Sequence, residues 1–516
     1  MRKCLLILLL FFLISCTINK KKEVEPNNTR WESQLIKLPI SLTGKMDHRD
    51  IDYYKFIITE SVTNLMDIIL SVKAENHLVL SLYHQNTLLK HTYPVRNPLK
   101  EEQKKIVLKN IVIHPGVYYI KISGMPSMSE ETRYTLMIKE YTHDDTMEME
   151  PNDKLVEANF INITNGYIKG YFNPAINLVI DGDDQEADWY KFSTTGKSNV
   201  LSLEITSIPD IDPVIELYNN LGFMIKKADS MGLDEPEILK NFGLLNSGEY
   251  FIKVYNKNKN SQNERTPYQL YLGLKELIPQ FEMEPNDSIN KANFLKTRIQ
   301  GYINPLSDQD WYEFTVDEEK AIYNISITPV NSIDMSINIY NSIGEKIYDL
   351  NAYSVNEAEI IPNLLLSHGQ YFLSVSDSSN KNQNYLDHYT LILKKQPFDN
   401  NWEYEPNDLL KQAIETDINR SIHGYISSAQ DSDTFKFSIS SQTSIKIDIT
   451  PVPHIDPVIL ILDQQKNIIK KINSNSSGEG ETDTLQLSEG TYYVILSDAD
   501  KKSNFYENYI FSIYER

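Results

Sequence analysis

The sequence predicts an all-β fold, a tandem array of four antiparallel β-sandwich domains. The first observation behind this prediction is an acidic phrase, Glu-x-Glu-Pro-Asn-Asp, that recurs at steps of roughly 120 to 135 residues. The second is that each copy is followed by roughly seven or eight short segments in which apolar and polar residues alternate. This period indicates repeated copies of one domain, because about 120 residues suffice for one hydrophobic core.

The acidic segment, which we define as the six residues of this phrase, starts each predicted repeat. The four segments are Glu23–Asn28, Glu148–Asp153, Glu282–Asp287 and Glu403–Asp408. The first of them is a variant, because it ends in Asn where the other three end in Asp. Their positions divide the chain into four predicted repeats, at residues 23–142, 143–277, 278–398 and 399–516.

Further landmarks recur in the same order within the repeats. A Gly-aromatic step comes first, at Gly170-Tyr171, Gly301-Tyr302 and Gly424-Tyr425. An acidic pair then leads into an aromatic strand, and the pairs are Asp50 and Asp52, Glu186 and Asp188, Asp308 and Asp310, and Asp431 and Asp433. A strand that begins at an Asp follows, as at Asp212, and two closing strands begin at a Gly and at a Tyr, as at Gly248 and Tyr268. The spacing of apolar residues two apart in these segments predicts half-buried strands.

The first residues predict an export signal. Two basic residues precede the apolar run Cys4–Ile14, which at about 11 residues is shorter than the roughly 20 that span a bilayer. The run ends in Leu-Ile-Ser-Cys16, which resembles the lipobox of bacterial lipoproteins, whose cysteine carries fatty acyl chains such as palmitate. The resemblance implies a signal peptide at 1–15, a lipidated Cys16 with a tether at 16–22, and a bacterial cell-envelope protein on the outer or cytoplasmic membrane, facing the periplasm or the exterior. An ordinary secretory signal or an uncleaved anchor is the alternative.

The composition indicates an acidic protein without disulfides. The formal net charge is −21, which argues against nucleic acid and anionic lipid as partners. The only cysteines are Cys4 and Cys16, so a chain that loses its signal peptide would have no pair of thiols. Stability must then come from burial of apolar residues or from hard metal ions.

The sequence carries no recognisable catalytic motif. It has no His-Glu-x-x-His metal motif, no Gly-x-Ser-x-Gly nucleophile elbow and no Gly-rich phosphate loop. The ten histidines do not recur at equivalent positions of the repeats, and scattered solvent-facing histidines are the simpler interpretation. Four β-domains also leave no room for a separate catalytic fold, so we expect a non-enzymatic protein.

Taken together, the landmarks resemble those of the bacterial pre-peptidase C-terminal domain, often called PPC. That family shows an E-P-N-D start, a Gly-x-Ile step, a D-x-D-W/Y-Y-x-F strand, a D-P-x-L-x-L-Y strand, a Gly-x-Tyr-Tyr-x-x-V strand and a closing Tyr-x-L strand. All four repeats carry most of these motifs, so the resemblance covers nearly the whole mature chain. It implies a jelly-roll type of β-sandwich, with the collagen-binding domains of clostridial collagenases as relatives.

In those relatives the acidic segment and the Asp-x-Asp turn coordinate calcium, and the resemblance implies the same ligands here. In the third repeat they are Glu282, Glu284, Asn286, Asp287, Asp308 and Asp310. In the fourth they are Glu403, Glu405, Asn407, Asp408, Asp431 and Asp433. In the second they are Glu148, Glu150, Asn152, Asp153, Glu186 and Asp188. In the first they are Glu23, Glu25, Asn27, Asp50 and Asp52.

The residue types suit calcium independently of the family. Calcium takes about six to eight oxygen ligands, several of them carboxylates, at roughly 2.3–2.6 Å. Glu-x-Glu on an extended segment places both carboxylates on one side, and Asp-x-Asp does the same where a strand begins. The alternative is a purely structural motif, since Asn and Asp after Pro are common turn and helix N-cap residues.

The expected function is that of a non-enzymatic, lipid-anchored binding or adhesion protein of the cell envelope, stiffened by calcium. Its partners would be the membrane, through the lipid anchor, and an extracellular protein or polysaccharide, with no nucleic acid. An accessory protein that holds a substrate or a partner for a secreted peptidase is the first alternative. A degenerate hydrolase is the second.

Overall fold

The computed structural model describes the chain from residue 19 onward, in ranges separated by short gaps. These ranges are 19–47, 50–59, 64–73, 77–92, 103–125, 132–172, 187–195, 199–244, 246–258, 261 and 263–516. The predicted signal peptide, Cys16 and Glu186 lie outside the described residues. Within these ranges the regular structure is strand, with three 3₁₀ turns at Leu155–Glu157, Ile289–Lys291 and Leu410–Gln412. The all-β prediction is therefore confirmed, and no helix in the described ranges is long and apolar enough to span a membrane.

The described residues of the first predicted repeat form nine strands, which build two five-stranded sheets together with β1 of the predicted tether. The strands are β1 (Asn19–Lys22), β2 (Gln34–Leu35), β3 (Ile40–Met46), β4 (Asp52–Ile58), β5 (Asn64–Lys73), β6 (His77–His84), β7 (Thr87–Thr92), β8 (Gln103–Ile113), β9 (Gly116–Met125) and β10 (Thr132–Thr142). One sheet has the order β1-β3-β10-β5-β8 and the other has the order β2-β4-β9-β6-β7. The short edge strands β1 and β2 pair in parallel with their neighbours, whereas the remaining pairs are antiparallel.

The second predicted repeat has the same plan, with nine strands among its described residues. They are β11 (Asn159–Phe160), β12 (Tyr167–Phe172), β13 (Ala187–Thr194), β14 (Asn199–Ile205), β15 (Pro213–Tyr218), β16 (Met224–Ala228), β17 (Glu237–Leu244), β18 (Gly248–Asn256) and β19 (Asn263–Glu276). Their sheets have the orders β11-β13-β18-β15-β16 and β12-β19-β14-β17. Corresponding strands thus occupy corresponding places in the two repeats.

The third predicted repeat differs because its strands join into one seven-stranded sheet. The strands are β20 (Asn293–Phe294), β21 (Arg298–Ile303), β22 (Gln309–Ile327), β23 (Met335–Asn341), β24 (Lys346–Leu350), β25 (Glu359–Asp377) and β26 (Asn384–Gln396). The order is β21-β26-β22-β25-β23-β24, with β20 on β22. The sequence predicts two separate segments where β22 runs continuously. The register of β22 against β25 shifts between Val316 and Lys320, so this connection forms a bulge that interrupts the pairing without ending the strand.

The fourth predicted repeat returns to two sheets. Its strands are β27 (Ile414–Glu415), β28 (Arg420–Ile426), β29 (Asp433–Ile439), β30 (Thr443–Ile449), β31 (Pro457–Asp463), β32 (Ile468–Ile472), β33 (Glu481–Leu487), β34 (Gly490–Asp498) and β35 (Asn504–Glu515). The sheet orders are β27-β29-β34-β31-β32 and β28-β35-β30-β33. Strand β29 begins at Asp433, so the second Asp of the acidic pair stands at the first position of a buried strand.

Alternating apolar side chains from both sheets of a repeat meet in one core. In the first repeat, Leu42 of β3 and Leu136 of β10 share a buried cluster with Leu80 of β6 and Ile120 of β9. Strand β3 alternates between buried and less buried residues along its length, as the sequence pattern predicts. Each fully buried aliphatic side chain of this kind contributes about 1.5–3 kcal/mol through the hydrophobic effect.

The described residues group into two compact units. One unit contains the residues up to Leu239 together with Leu244–Lys275, and the other contains Lys240–Gly243 together with Glu276–Arg516. This division into two units does not test the four repeat boundaries given by the acidic segments, which stay a prediction.

A left-handed asparagine lies roughly 40 residues before each internal acidic segment. Its φ angle is 54° at Asn110 and 50° at both Asn241 and Asn363. The strand register shifts where Asn110 and Asn363 stand, so these residues form β-bulges in β8 and β25. Each asparagine carbonyl accepts the backbone N–H of the second glutamate of the next segment, at 2.8–2.9 Å. The bulge therefore holds the acidic segment in place. The corresponding strand of the fourth repeat, β33, precedes no further acidic segment and pairs without a register shift.

Replacing this asparagine tests its conformational role. We expect Asn363→Ala to lower the free energy of unfolding by about 1–2 kcal/mol, because alanine is strained at positive φ. Asn363→Gly should cost less than Asn363→Ala, since glycine adopts this conformation freely. Denaturant unfolding of the two variants measures the difference, and equal midpoints would contradict the prediction.

Candidate metal centre

The backbone of the acidic segment is fixed in the same way in all four repeats. The Glu–Pro peptide bond within it is cis at Glu25-Pro26, Glu150-Pro151, Glu284-Pro285 and Glu405-Pro406. The carboxylate of this second glutamate accepts the backbone N–H of the following Asn, at 2.9–3.2 Å. The carbonyl of that Asn accepts the N–H of the residue that follows the second Asp of the acidic pair, at Tyr53, Trp189, Trp311 and Thr434. These bonds bring together two acidic motifs that are distant in the sequence.

The first glutamate of the segment is bound by the Gly-aromatic step. In the third repeat, the backbone N–H of Tyr302 donates to Glu282 Oε1 at 2.8 Å, and the Tyr312 hydroxyl donates to Oε2 at 3.3 Å. Equivalent backbone bonds join Lys45 to Glu23, Tyr171 to Glu148 and Tyr425 to Glu403. The glutamates of the second, third and fourth repeats are buried, whereas Glu23 and Glu25 of the first repeat are more open.

Two tyrosine hydroxyls meet beside the carboxylates in three of the repeats. The hydrogen-bonded pairs are Tyr54 with Tyr134, Tyr190 with Tyr268, and Tyr312 with Tyr389. The second tyrosine of each pair donates to the second Asp of the acidic pair, at 2.5–2.6 Å. In the fourth repeat Phe435 stands in place of the first tyrosine and stacks on Phe511. The fourth site therefore has fewer hydroxyl donors for its carboxylates.

The glycine of the Gly-aromatic step leaves room for these side chains. A Cβ at Gly301 would lie 2.5 Å from the Tyr389 hydroxyl and would also collide with Glu282 Oε2. Gly170 and Gly424 are enclosed in the same way by Tyr268 and Tyr509, and Gly44 by Tyr134. The recurring glycine is thus explained by the close approach of a tyrosine.

We expect Gly301→Ala to destabilise the chain by about 1–3 kcal/mol, since the added methyl group overpacks a buried site. The matched control is Gly232→Ala, where a Cβ would meet nothing within 4 Å. Denaturant unfolding measures both variants. Equal unfolding midpoints for the two would contradict the prediction.

Three clusters of carboxylates lie close enough to hold one cation, among the residues that the structure describes. Within each cluster one oxygen from every residue lies within 4.8 Å of the others. The clusters are Glu23, Glu25 and Asp52; Glu282, Glu284 and Asp310; and Glu403, Glu405 and Asp433. Each consists of both glutamates of an acidic segment and the second Asp of the acidic pair, all of which the family resemblance implies as ligands.

The first Asp of the acidic pair is placed differently. Asp308 accepts the backbone N–H of Asn304 at 2.7 Å, and Asp431 accepts that of Ser427. Both are largely buried and stand beside the clusters rather than among the three residues that form each cluster. In the first repeat Asp50 accepts the N–H of the next residue, Ile51, at 2.9 Å, and it is not among the three residues of the cluster there.

The Asn and the last residue of the acidic segment lie next to the carboxylates in most of the repeats. Asn407 donates its amide to Glu403 at 2.8 Å and to Asp433 at 2.9 Å, and Asn27 donates to Glu23 at 3.0 Å. Asn152 and Asn286 are fully buried in their own repeats. The last residues vary in their surroundings: Asp408 accepts a backbone N–H from Ser432, Asp287 is exposed and Asp153 contacts a lysine.

Several buried oxygens of these sites have no hydrogen-bond donor. In the fourth repeat these atoms are Glu405 Oε1, Asp433 Oδ2 and Asn407 Oδ1, on residues that are at most 1% exposed. In the first and third repeats they include Asp52 Oδ1, Asn27 Oδ1 and Asp308 Oδ1. A buried acceptor without a donor costs about 1–3 kcal/mol, and more when it is charged. A cation at the cluster would satisfy these oxygens.

Burial raises the pKa of several of the clustered carboxyl groups. It brings the pKa of Asp52 to about 8, opposed in part by the hydrogen bond from Tyr134. Burial likewise raises the pKa of Glu403 to about 8. For Asp310 and Asp433, burial and then the neighbouring Glu282 and Glu403 raise the pKa well above the usual range. Holding these groups ionised near neutral pH therefore calls for a nearby positive charge.

The second repeat differs because a lysine lies among its carboxylates. Lys90 Nζ, from β7, donates to Glu150 Oε2 at 3.2 Å and to the two Asp153 oxygens at 3.0 and 3.1 Å. The bulge residue Asn110 donates to Glu148 Oε1 at 3.2 Å. The sequence gives no signal for Lys90, which belongs to no recurring motif. Asn110 does recur, as Asn241 and Asn363, and this spacing could have identified it.

Comparisons with known proteins give only distant similarities. No protein-family model and no curated protein matches the chain. The chain is similar to the pre-peptidase C-terminal domain of collagenase from Bacillus anthracis, with 17% identity over 22% of this chain and 99% of that one, at a TM-score of 0.18. It is also similar to the CUB1-EGF-CUB2 domain of human MASP-1/3, with 10% identity over 44% of this chain and 95% of that one (TM-score 0.14). A fucolectin from striped bass serum has 12% identity over 42% of this chain and 84% of its own (TM-score 0.13). Membership of the PPC family stays a proposal.

Proposed function

We propose that this chain is a lipid-anchored, non-enzymatic binding protein of the bacterial cell envelope, built of four PPC-like β-sandwich repeats stiffened by calcium. The observation that carries the proposal is the set of three carboxylate clusters, each formed by an acidic segment and the second Asp of an acidic pair. Each cluster joins the start of a repeat to a strand of the same repeat. A bound ion would therefore hold the start of a repeat against the body of that repeat.

The donor set of the clusters favours calcium over softer metals. The ligands are carboxylate and amide oxygens, and the mature chain would offer no thiolate, because the sulfur of its one cysteine, Cys16, would carry lipid. Calcium accepts irregular sets of oxygens, whereas magnesium demands a near-ideal octahedron and gives up its waters reluctantly. In the fourth repeat Glu403, Glu405 and Asp433 would hold the ion, with Asn407 beside them.

Calcium bound in this way would stiffen the connection between consecutive repeats. The backbone of Glu405 pairs with the bulged strand β25, since its N–H donates to Asn363 O at 2.9 Å and its carbonyl accepts from Leu365 at 2.8 Å. The side chain of the same Glu405 belongs to the cluster with Asp433 of β29. Neutralising the cluster removes the repulsion between like charges that loosens this connection.

Exposed apolar side chains supply a surface for a ligand. Leu221, Phe223 and Met224, at the tip of the β15–β16 hairpin, are 73%, 63% and 53% exposed. Val156 lies on the 3₁₀ turn of the same repeat and is 85% exposed. Leu155, the preceding residue, lies 3.9 Å from the position of a Cβ at Gly222, which places this turn against the hairpin. Clustered exposed apolar side chains are typical of interaction sites.

A binding screen tests the proposed function. The full chain, with calcium or with chelator, is to be assayed against collagen, host matrix proteins and glycans, and we expect saturable binding to one class of these ligands. Phe223→Ser should weaken that binding at least tenfold. The control Ile468→Ser alters an exposed apolar residue of the corresponding fourth-repeat hairpin and should have little effect. Failure to bind any ligand, or hydrolysis of a protein or glycan, would contradict the proposal.

The lipid anchor needs its own experiment. Labelled palmitate should be incorporated into the wild-type chain and should be lost in Cys16→Ser, which is expected to leave the membrane fraction. Equal labelling of the two chains would contradict acylation at Cys16.

A further inference from the structure

Lys90 lies where the second repeat has its acidic segment, although it belongs to the first repeat. Its side chain is 1% exposed, and its ammonium group contacts Glu150, which is fully buried, and Asp153. A lysine is rarely buried to this degree unless its charge is paired. The ion pair therefore spans the junction between two predicted repeats within one compact unit.

The second site differs from the others in whether its buried carboxylate oxygens have hydrogen-bond donors. In the first, third and fourth repeats, buried oxygens of the acidic motifs lack a donor, as at Asp52, Asp308 and Glu405. Among the described residues of the second repeat, Glu150 and Asp188 have no such oxygen. The second repeat also forms none of the three cation-sized carboxylate clusters that the described ranges contain. The chain thus supplies one positive charge of its own to the carboxylates of this site.

The strand position of Lys90 recurs in the other hairpins of this type, but its surroundings differ. In the second repeat it is held by Lys226, which is only half-buried. Lys90 pairs with Leu82 across the β6–β7 hairpin, and Tyr348 pairs with Ile339 at the equivalent place in the β23–β24 hairpin. After burial, Glu405 is the largest cause of the raised pKa of Tyr348, which places the phenol close to the fourth acidic segment. This strand position therefore has an uncharged phenol near the fourth acidic segment and an ammonium in contact with the second.

We propose that the Lys90 ammonium occupies the cation position of the second acidic segment, so that this site binds no calcium and the first junction is closed without metal. The inference rests on the proposed calcium binding at the other three clusters. The array would then combine one permanent junction with others that respond to the calcium concentration.

The exclusion of calcium follows from charge and space. A divalent ion at Glu150 would stand within a few ångströms of the ammonium, and two positive charges repel strongly in a buried site. Moving Lys90 away would leave its ammonium without partners, which costs several kcal/mol when the group stays buried. Removing the charge while keeping the length of the side chain should therefore create a calcium site.

Calcium stoichiometry of the full chain in detergent tests this inference, with calcium chloride as the titrant in calorimetry. We expect three ions per chain for the wild type, one for each carboxylate cluster, and one additional ion for Lys90→Met. The matched control is Lys470→Met, at the equivalent place of the β31–β32 hairpin, where the lysine pairs with Asp483 at 3.0 Å. This control should leave the stoichiometry unchanged.

A second pair of variants keeps the test valid if Lys90→Met does not fold. Glu150→Gln should leave the number of bound ions unchanged, whereas Glu284→Gln should remove one. A loss of one ion in Glu150→Gln, or no gain in a folded Lys90→Met, would overturn the inference. If the wild type binds no calcium, the proposed function fails. Acquisition of a site by Lys90→Met would then still support the role of Lys90, and its absence would overturn it.

Discussion

We expect the repeats that contain a cluster to unfold at a temperature roughly 10 °C higher in calcium than in chelator. A ligand that binds only the folded state adds about 2.7 kcal/mol of stability when its free concentration is 100 times its dissociation constant. The effect should be large here because the ion also satisfies buried acceptors that have no donor, such as Glu405 Oε1 and Asp433 Oδ2. Differential scanning calorimetry with calcium and with chelator measures the shift.

Two comparisons identify the source of this shift. Glu405→Gln keeps the shape of the side chain but removes its charge, so the calcium-dependent shift of the fourth repeat should be largely lost. Magnesium at the same concentration should produce a smaller shift than calcium, because it retains its waters. An unfolding profile that is identical in calcium and in chelator would contradict the prediction.

The chelated chain is expected to become less stable as the pH rises from 5 to 8. The folded-state pKa values of Asp52 and Glu403 are raised by burial to about 8, from ordinary values near 4. Between these limits the folded chain binds more protons than the unfolded chain, so the free energy of unfolding falls with pH. The slope is about 1.4 kcal/mol per pH unit for each extra proton bound. The stabilising contribution is fully present below the unfolded pKa and is lost as the pH passes the folded pKa.

Denaturant unfolding of the chelated chain at pH 5, 6, 7 and 8 measures this slope. Glu403→Gln removes one of the titrating groups and should make the slope shallower. Calcium should reverse the trend at pH 8, because it binds the ionised carboxylates. Stability that is constant or increases over this range in chelator would show that the clusters are not protonated in the folded chain.

The sequence predicts the all-β architecture and the composition of the carboxylate clusters because both depend on short, repeated patterns. The alternation of residues in β3 is set by which side chains face the core, and this requirement can be read directly from the sequence. The clustering of Glu282 and Glu284 follows from their spacing on an extended segment. Asp310 joins them because the Asn286 carbonyl fixes the start of β22.

Other features depend on contacts between distant parts of the chain, and no local pattern encodes them. Lys90 reaches Glu150 across a repeat junction, and its own neighbours in the sequence are unremarkable strand residues. The continuous path of β22 depends on its bulged pairing with β25, which the repeat pattern does not reveal. Asp308 stands apart from the Asp310 cluster because it accepts the Asn304 N–H, and Asp431 accepts the Ser427 N–H in the same way; this bond is local, but the acidic pair alone does not indicate it.

The most direct test of the central claim is a calorimetric titration of the chelated full chain with calcium at pH 7.5. We expect saturable binding that is lost in steps when the clusters of the first, third and fourth repeats are neutralised by Glu25→Gln, Glu284→Gln and Glu405→Gln. The absence of binding heat, together with an unchanged unfolding midpoint of a chain that is folded at the outset, would contradict the account.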